Sequence, residues 1–128
     1  MQEPVWLNTE LVVRMHMRQI AEHGGGSGLR DSGLLESALE RPISKFHYGK
    51  PDKAELAAAY AFGIARNHPF IDGNKRTALV ASFTFLYLNG DAVISSQAEN
   101  VTIFLSLAAG NMSEEELAIW FRANLNEL

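Results

Sequence analysis

The stretch from Asn74 to Gly90, NKRTALVASFTFLYLNG, limits the fold more than any other part of the chain. Ala78, Leu79, Val80, Ala81, Phe83, Phe85, Leu86 and Leu88 fall within about four helical turns and cover nearly the whole circumference. A helix that is apolar all round has no face to give to water, so it is a buried rod. The remaining segments are of the kind that wraps one. A helix runs from about Asn8 or Thr9 to about Glu22, with Leu11, Val12, Met15 and Ile20 on one face. The segment RDSGLLESALERP predicts a short helix capped by Asp31 or Ser32 and stopped by Pro42, followed by irregular ISKFHYGKP. Reciprocal capping pairs at Asp52 with Glu55, Ser96 with Glu99 and Ser113 with Glu116 open three further helices. These are expected to reach about Asn67, Ala109 and Leu125. The expectation is an all-α domain of about six helices around the buried one, with little strand.

At 128 residues, 47% of them hydrophobic and 20% charged, the chain is a single globular domain over residues 1–128. No apolar stretch reaches the ~18–20 residues that a bilayer span requires, and no basic-then-apolar signal opens the chain. A cytoplasmic location and no membrane partner are the default expectation. The absence of cysteine excludes a disulfide framework and a thiolate zinc site. A net charge of −4 argues against direct nucleic-acid binding, which needs a basic stripe along the phosphates. GGGSG, at Gly24–Gly28, reads as a flexible connector, because no strand precedes it as a phosphate-cradling loop requires.

Chemistry concentrates in HPFIDGNKRTA, residues 68–78. Pro69 disfavours a helical conformation at His68, so the helix before it should stop near Asn67 and present the imidazole in a turn. Gly73 removes a Cβ where the backbone must come close to something. The next helix opens with Asn74, Lys75 and Arg76, whose N–H groups have no intrahelical partner. Two cations in a first turn oppose the helix dipole by a few tenths to ~1 kcal/mol each, so an anion is needed to compensate. Oligophosphate fits: its oxygens accept from the helix start while Lys75 and Arg76 neutralise its charge. Asp72 is a hard oxygen ligand suited to Mg²⁺ beside phosphates, and His68 suits a general base for a hydroxyl.

Blander readings stand beside these. Asp72 alone would serve as an N-cap, Lys75 as a solvated surface charge, and His68 as a polar cap without chemistry. Arg66 either faces the phosphates or caps the dipole of the preceding helix. His16, His23 and His47 lack a partner at ligand spacing and read as surface or satisfied core groups. Phe46 and Tyr48 read as ordinary packing. A metal-hydrolase site built on His68 and Asp72 lacks a third protein ligand, and a purely non-enzymatic binding module has no need of a base beside an anion site.

HPFIDGNKRTA resembles the signature of the Fic/Doc superfamily, and GLRDSGLLESALERP, AAAYAFGIARNHPF and the Ser113–Asn124 tail resemble its Doc (death-on-curing) toxin branch. The resemblance implies the Fic/Doc fold, with His68 as catalytic base, Asp72 as the Mg²⁺ ligand, and Gly73, Asn74 and Arg76 as the anion hole for nucleotide phosphates. Fic AMP-transferases resemble H-P-F-x-D-G-N-G-R-x-x-R; here Lys75 replaces the second glycine and Leu79 the last arginine, a combination similar to Doc. Pro69 and Gly73 are more Fic-like. Losing one phosphate clamp and adding a lysine changes where a triphosphate lies, so that the γ-phosphate of ATP faces His68. The resemblance thus implies a toxin that phosphorylates a hydroxyl of a translation protein similar to elongation factor Tu, with AMP transfer as the alternative. It also implies a cognate antitoxin whose segment folds as a helix in a groove beside the central and first helices. No self-blocking S/T-x-x-x-E-G/N motif is visible, so restraint is expected in trans.

Overall fold

The computed structural model describes all 128 residues, Met1–Leu128. Six helices follow in order: α1 (Thr9–His23), α2 (Ser32–Tyr48), α3 (Lys53–Asn67), α4 (Asn74–Leu88), α5 (Gln97–Ala108) and α6 (Glu114–Asn124). Two short strands, β1 (Asp91–Val93) and β2 (Leu125–Glu127), pair antiparallel with Ala92 opposite Asn126 and tie the end of the chain to the α4–α5 connection. The all-α expectation is met, and no helix is long and apolar enough to cross a membrane.

The centre is α3 with α4 beside it. Small residues along α3, at Ala57, Ala58, Ala59, Ala61, Gly63 and Ala65, let α2, α4 and α6 approach on three sides, and nearly all of α3 is buried. A Cβ on Gly63 would lie 3.1 Å from Ala38 Cα, which shows how closely α2 crosses α3. The all-round apolar α4 is less enclosed than its composition predicts. Its last turn leaves Tyr87 64% and Leu88 45% exposed, while Phe85 and Leu86 of the same turn are fully buried.

Pro42 does not end α2. The helix continues through it to Tyr48, taking in the segment expected to be irregular. Leu35, Ala38, Leu39 and Pro42 are all buried in the helix interface. On either side of the proline, Arg41 and Lys45 both pair with Glu114, a carboxylate at the start of α6 that is only 4% exposed. Burial and two charge-assisted contacts outweigh the ~3 kcal/mol that an interior proline costs. Phe46, inside α2, packs edge-on against Trp6, whereas Tyr48 is exposed.

The caps follow the sequence closely. Asn8, Asp31, Asp52, Ser96 and Ser113 each accept from the helix they precede. Full reciprocal boxes form at Asp52–Glu55 and Ser113–Glu116. At Ser96 the box is half made, because the Glu99 carboxylate accepts instead from Trp120 Nε1 at 2.9 Å. α6 stops at Asn124, one residue short of expectation, where Leu125 enters the strand.

Candidate functional site

The site is the link between α3 and α4. α3 ends at Asn67, and His68 takes a left-handed conformation, φ 53° and ψ 55°, the only non-glycine residue with positive φ. Such a conformation is unfavourable for a side chain with a Cβ and persists where the surroundings impose it. They do so here: Arg30 donates through Nε to the His68 carbonyl at 2.8 Å and through Nη2 to the Asn67 carbonyl at 2.9 Å. The imidazole is consequently exposed, as the sequence predicts.

Asn74 is 4% exposed and closes the turn beneath that imidazole. Its Oδ1 accepts from Phe70 N–H at 2.9 Å and its Nδ2 donates to the Phe70 carbonyl at 2.9 Å. The same Nδ2 donates to His68 Nδ1 at 3.2 Å. The Asn74 side chain is therefore occupied by the loop, and what it leaves for a ligand is its backbone N–H at the start of α4.

Gly73 precedes α4 with φ 75°, and no side chain caps the helix. A Cβ there would stand 3.2 Å from Ile20 Cδ1 and 3.6 Å from His16, so only glycine lets the turn approach α1 this closely. Asp72 does not cap α4. Its exposed carboxylate accepts from Gly73 N–H at 2.8 Å and faces Gly26 N–H at 3.4 Å. Those backbone donors, Gly73 first, hold its pKa below the ordinary 3.8, with Arg76 and His16 adding weaker attraction. The carboxylate forms no ion pair with a neighbouring cation, and no cluster of three or more metal-ligating side chains exists. A lone, ionised oxygen ligand of this kind fits Mg²⁺, which completes its shell with phosphate and water, and does not fit an all-protein zinc site.

His68, Ile71, Asp72, Gly73, Asn74, Lys75 and Arg76 line one cavity of about 190 Å³ at the amino end of α4. Of the residues expected there, one lies elsewhere. The Arg66 guanidinium rests over the Phe62 ring, 5.3 Å from its centroid, and does not line that cavity. Lys75 and Arg76 line in addition a groove of about 520 Å³ between α1, α4 and α5, whose apolar floor includes Leu79, Val80, Phe83 and Phe104. Arg76 reaches across it toward the Gly24 carbonyl, 3.5 Å away.

Two contributors are not recognisable from sequence. His16, expected to be a surface or satisfied core group, is 1% exposed, stacks on Phe70 with centroids 3.9 Å apart, and donates through Nε2 to the Asp72 carbonyl at 2.7 Å. The glycine-rich run is not a bare connector. Its end pairs with the motif loop through Ile71 N–H to the Gly28 carbonyl and Arg30 N–H to the Pro69 carbonyl.

The arrangement joins a presented base, an ionised oxygen ligand and an uncapped helix start bearing two cations. It is equipped to hold an oligophosphate and take a proton near it. Comparison with known proteins identifies the family. A Fic/DOC family match covers residues 6–86. Toxin Doc of Mycolicibacterium smegmatis is 47% identical over 70 residues, 52% of this chain and 53% of that protein, so the matched part spans about half of its length. Protein kinase doc of Escherichia phage P1 is 33% identical over 113 residues, 88% of this chain and 89% of that protein. The chain belongs to the Fic/DOC family, in its Doc branch.

Proposed function

We propose that the protein is a Doc-like toxin that transfers the γ-phosphate of ATP to a hydroxyl group of a translation protein similar to elongation factor Tu. The observation that carries this reading is the uncapped amino end of α4, with Lys75 and Arg76 in its first turn and His68 and Asp72 beside it. The phage relative's name, protein kinase, supports phosphoryl transfer. Lys75, standing where AMP-transferases carry glycine, supports a triphosphate set differently from theirs.

In this reading the backbone N–H groups of Asn74, Lys75 and Arg76 donate to the phosphate oxygens, and the two side chains balance the charge. Asp72 would hold Mg²⁺, whose role when bound is to neutralise the terminal phosphates. His68 receives the acceptor's hydroxyl proton. Asn74 donates to Nδ1, so the neutral ring carries its own proton on Nε2, and the ring takes up the hydroxyl proton only by giving up that hydrogen bond. The new bond forms between the hydroxyl oxygen and the γ-phosphorus. The bond from that phosphorus to the β,γ-bridging oxygen breaks, and ADP leaves.

The groove beside α4 supports an antitoxin partner. Leu79, Val80, Phe83 and Phe104 offer an apolar floor between α1 and α5, the shape that accepts one face of an amphipathic helix, and Lys75 and Arg76 close one end. An occupant would thus lie against the same two cations that serve the phosphate site.

ATP labelled at either the α or the γ position, incubated with cell extract and Mg²⁺, separates the readings. Label from the γ position should appear on a protein, and His68→Ala should remove it. Transfer of the α label would establish AMP transfer instead, and label that persists in His68→Ala would remove the histidine from the chemistry.

A further inference from the structure

Asp72 is held by parts of the chain remote from it in sequence. On its backbone side, the buried His16 of α1 donates to the carbonyl across 2.7 Å and lies parallel to Phe70, with an interplanar angle of 5°. On its side-chain side, Gly25 has φ 113°, and a Cβ there would lie 2.5 Å from Asp72 Oδ2. The absence of that Cβ lets Gly26 N–H approach the same oxygen. Neither residue lines the cavity at the amino end of α4, so neither is placed to touch a phosphate.

We propose that His16 and Gly25 are positioning residues for the Asp72 carboxylate: His16 fixes the peptide from which it projects, and Gly25 leaves the room in which it turns toward the cavity. This rests on the reading of Asp72 as the Mg²⁺ ligand. An ordinary core histidine would be replaceable by a ring of similar shape at a cost in stability alone. A positioning histidine would not be, because a phenyl ring keeps the stack on Phe70 and loses the hydrogen bond. Supporting groups of this kind are worth on the order of 10–100-fold in metal affinity.

Calorimetry with a non-hydrolysable ATP analogue and titrated Mg²⁺ tests the proposal without reading activity. His16→Phe and Gly25→Ala should each weaken Mg²⁺ binding in the presence of the analogue by about tenfold or more. Both should leave binding of the analogue in EDTA unchanged. In an Asp72→Asn background neither should weaken Mg²⁺ further, because both act through the carboxylate. Mg²⁺ binding at wild-type strength in folded Gly25→Ala would overturn the proposal, as would losses that persist undiminished with Asp72→Asn. Gly25 lies in an exposed loop, so its variant decides the matter even where His16→Phe loses the fold. A wild-type protein that binds the analogue equally with and without Mg²⁺ would instead remove the metal reading of Asp72.

Discussion

The Asn74 amide donates to His68 Nδ1 at 3.2 Å, and the direction of that amide is set elsewhere, by its two hydrogen bonds to the backbone of Phe70. One buried side chain therefore determines both the shape of the turn and the tautomer of the exposed imidazole. Asn74→Ala should leave the Phe70 N–H and carbonyl unsatisfied in a buried setting, a loss of about 1–3 kcal/mol. Urea denaturation measures it. Asn74→Asp should recover the bond from Phe70 N–H but face His68 and the Phe70 carbonyl with acceptors, so it should restore stability only in part and transfer activity not at all.

His68 carries the opposite signature. Its left-handed backbone costs about 1–2 kcal/mol for a residue with a Cβ, a penalty glycine does not bear. His68→Gly should raise stability by about 0.5–1 kcal/mol, after allowance for the extra entropy of an unfolded glycine. Transfer should fall by about 10²–10⁴-fold or more. A gain in melting temperature together with lost activity is what strain held at a functional residue predicts. A stability loss above ~1 kcal/mol would mean that the imidazole contributes to the fold.

Pro42→Ala tests why α2 runs further than its sequence suggests. The variant regains an N–H for the Ala38 carbonyl and removes the ring from the turn before it. Set against this are the buried ring and a more restricted unfolded chain, together about 2 kcal/mol. A net stabilisation of about 1 kcal/mol is expected, seen as a higher urea midpoint with an unchanged slope. A destabilised variant would mean that the proline ring is needed in the interface.

What could be read in advance divides along the same line. Caps, helix starts and the turn at residues 68–73 rest on interactions a few residues long, and the side chains that make them are visible in order: Asp52 with Glu55, Ser113 with Glu116, Pro69 after His68, Gly73 before Asn74. What failed depends on distant partners. Pro42 is carried by Glu114, and Glu99 leaves its cap for Trp120, both far along the chain. His16 and Gly25 reach Asp72 across long separations, 56 positions for His16, and nothing near either residue announces the contact. The turn that carries the candidate site was legible because it is local; the frame that holds it was not.

Acid should act through Asp52. Its side-chain hydrogen bond from Arg122, with Nε 2.6 Å from Oδ2, lowers its pKa below the ordinary 3.8. A carboxylate depressed in the folded state contributes stability that is complete above 3.8 and is lost as pH falls through the lower native value. Both side chains are about half exposed, so the contribution is within ~1 kcal/mol. Asp52→Asn keeps a good N-cap for α3 while removing the charge, which isolates the ion pair. Melting curves of the two proteins should differ at neutral pH and converge as pH falls below the ordinary 3.8 through the lower native value. Parallel curves across that range would place the acid sensitivity on another carboxylate.

Val101 separates the groove from the chemistry. It lies on α5, 51% exposed, and lines the groove without lining the cavity that holds His68 and Asp72. Val101→Glu should cost little stability, since surface substitutions usually stay within about 0.5 kcal/mol. It would place a carboxylate against the apolar face of any helix seated over Phe83 and Phe104, where desolvating a charge costs several kcal/mol. The expected variant transfers phosphate at the wild-type rate and resists its antitoxin, with affinity for the antitoxin segment reduced by about 10²-fold or more. Growth arrest on co-expression and titration calorimetry with the segment measure the two halves separately. Unchanged neutralisation would move the antitoxin to another face, and a transfer rate that fell with the substitution would show that the groove serves the nucleotide.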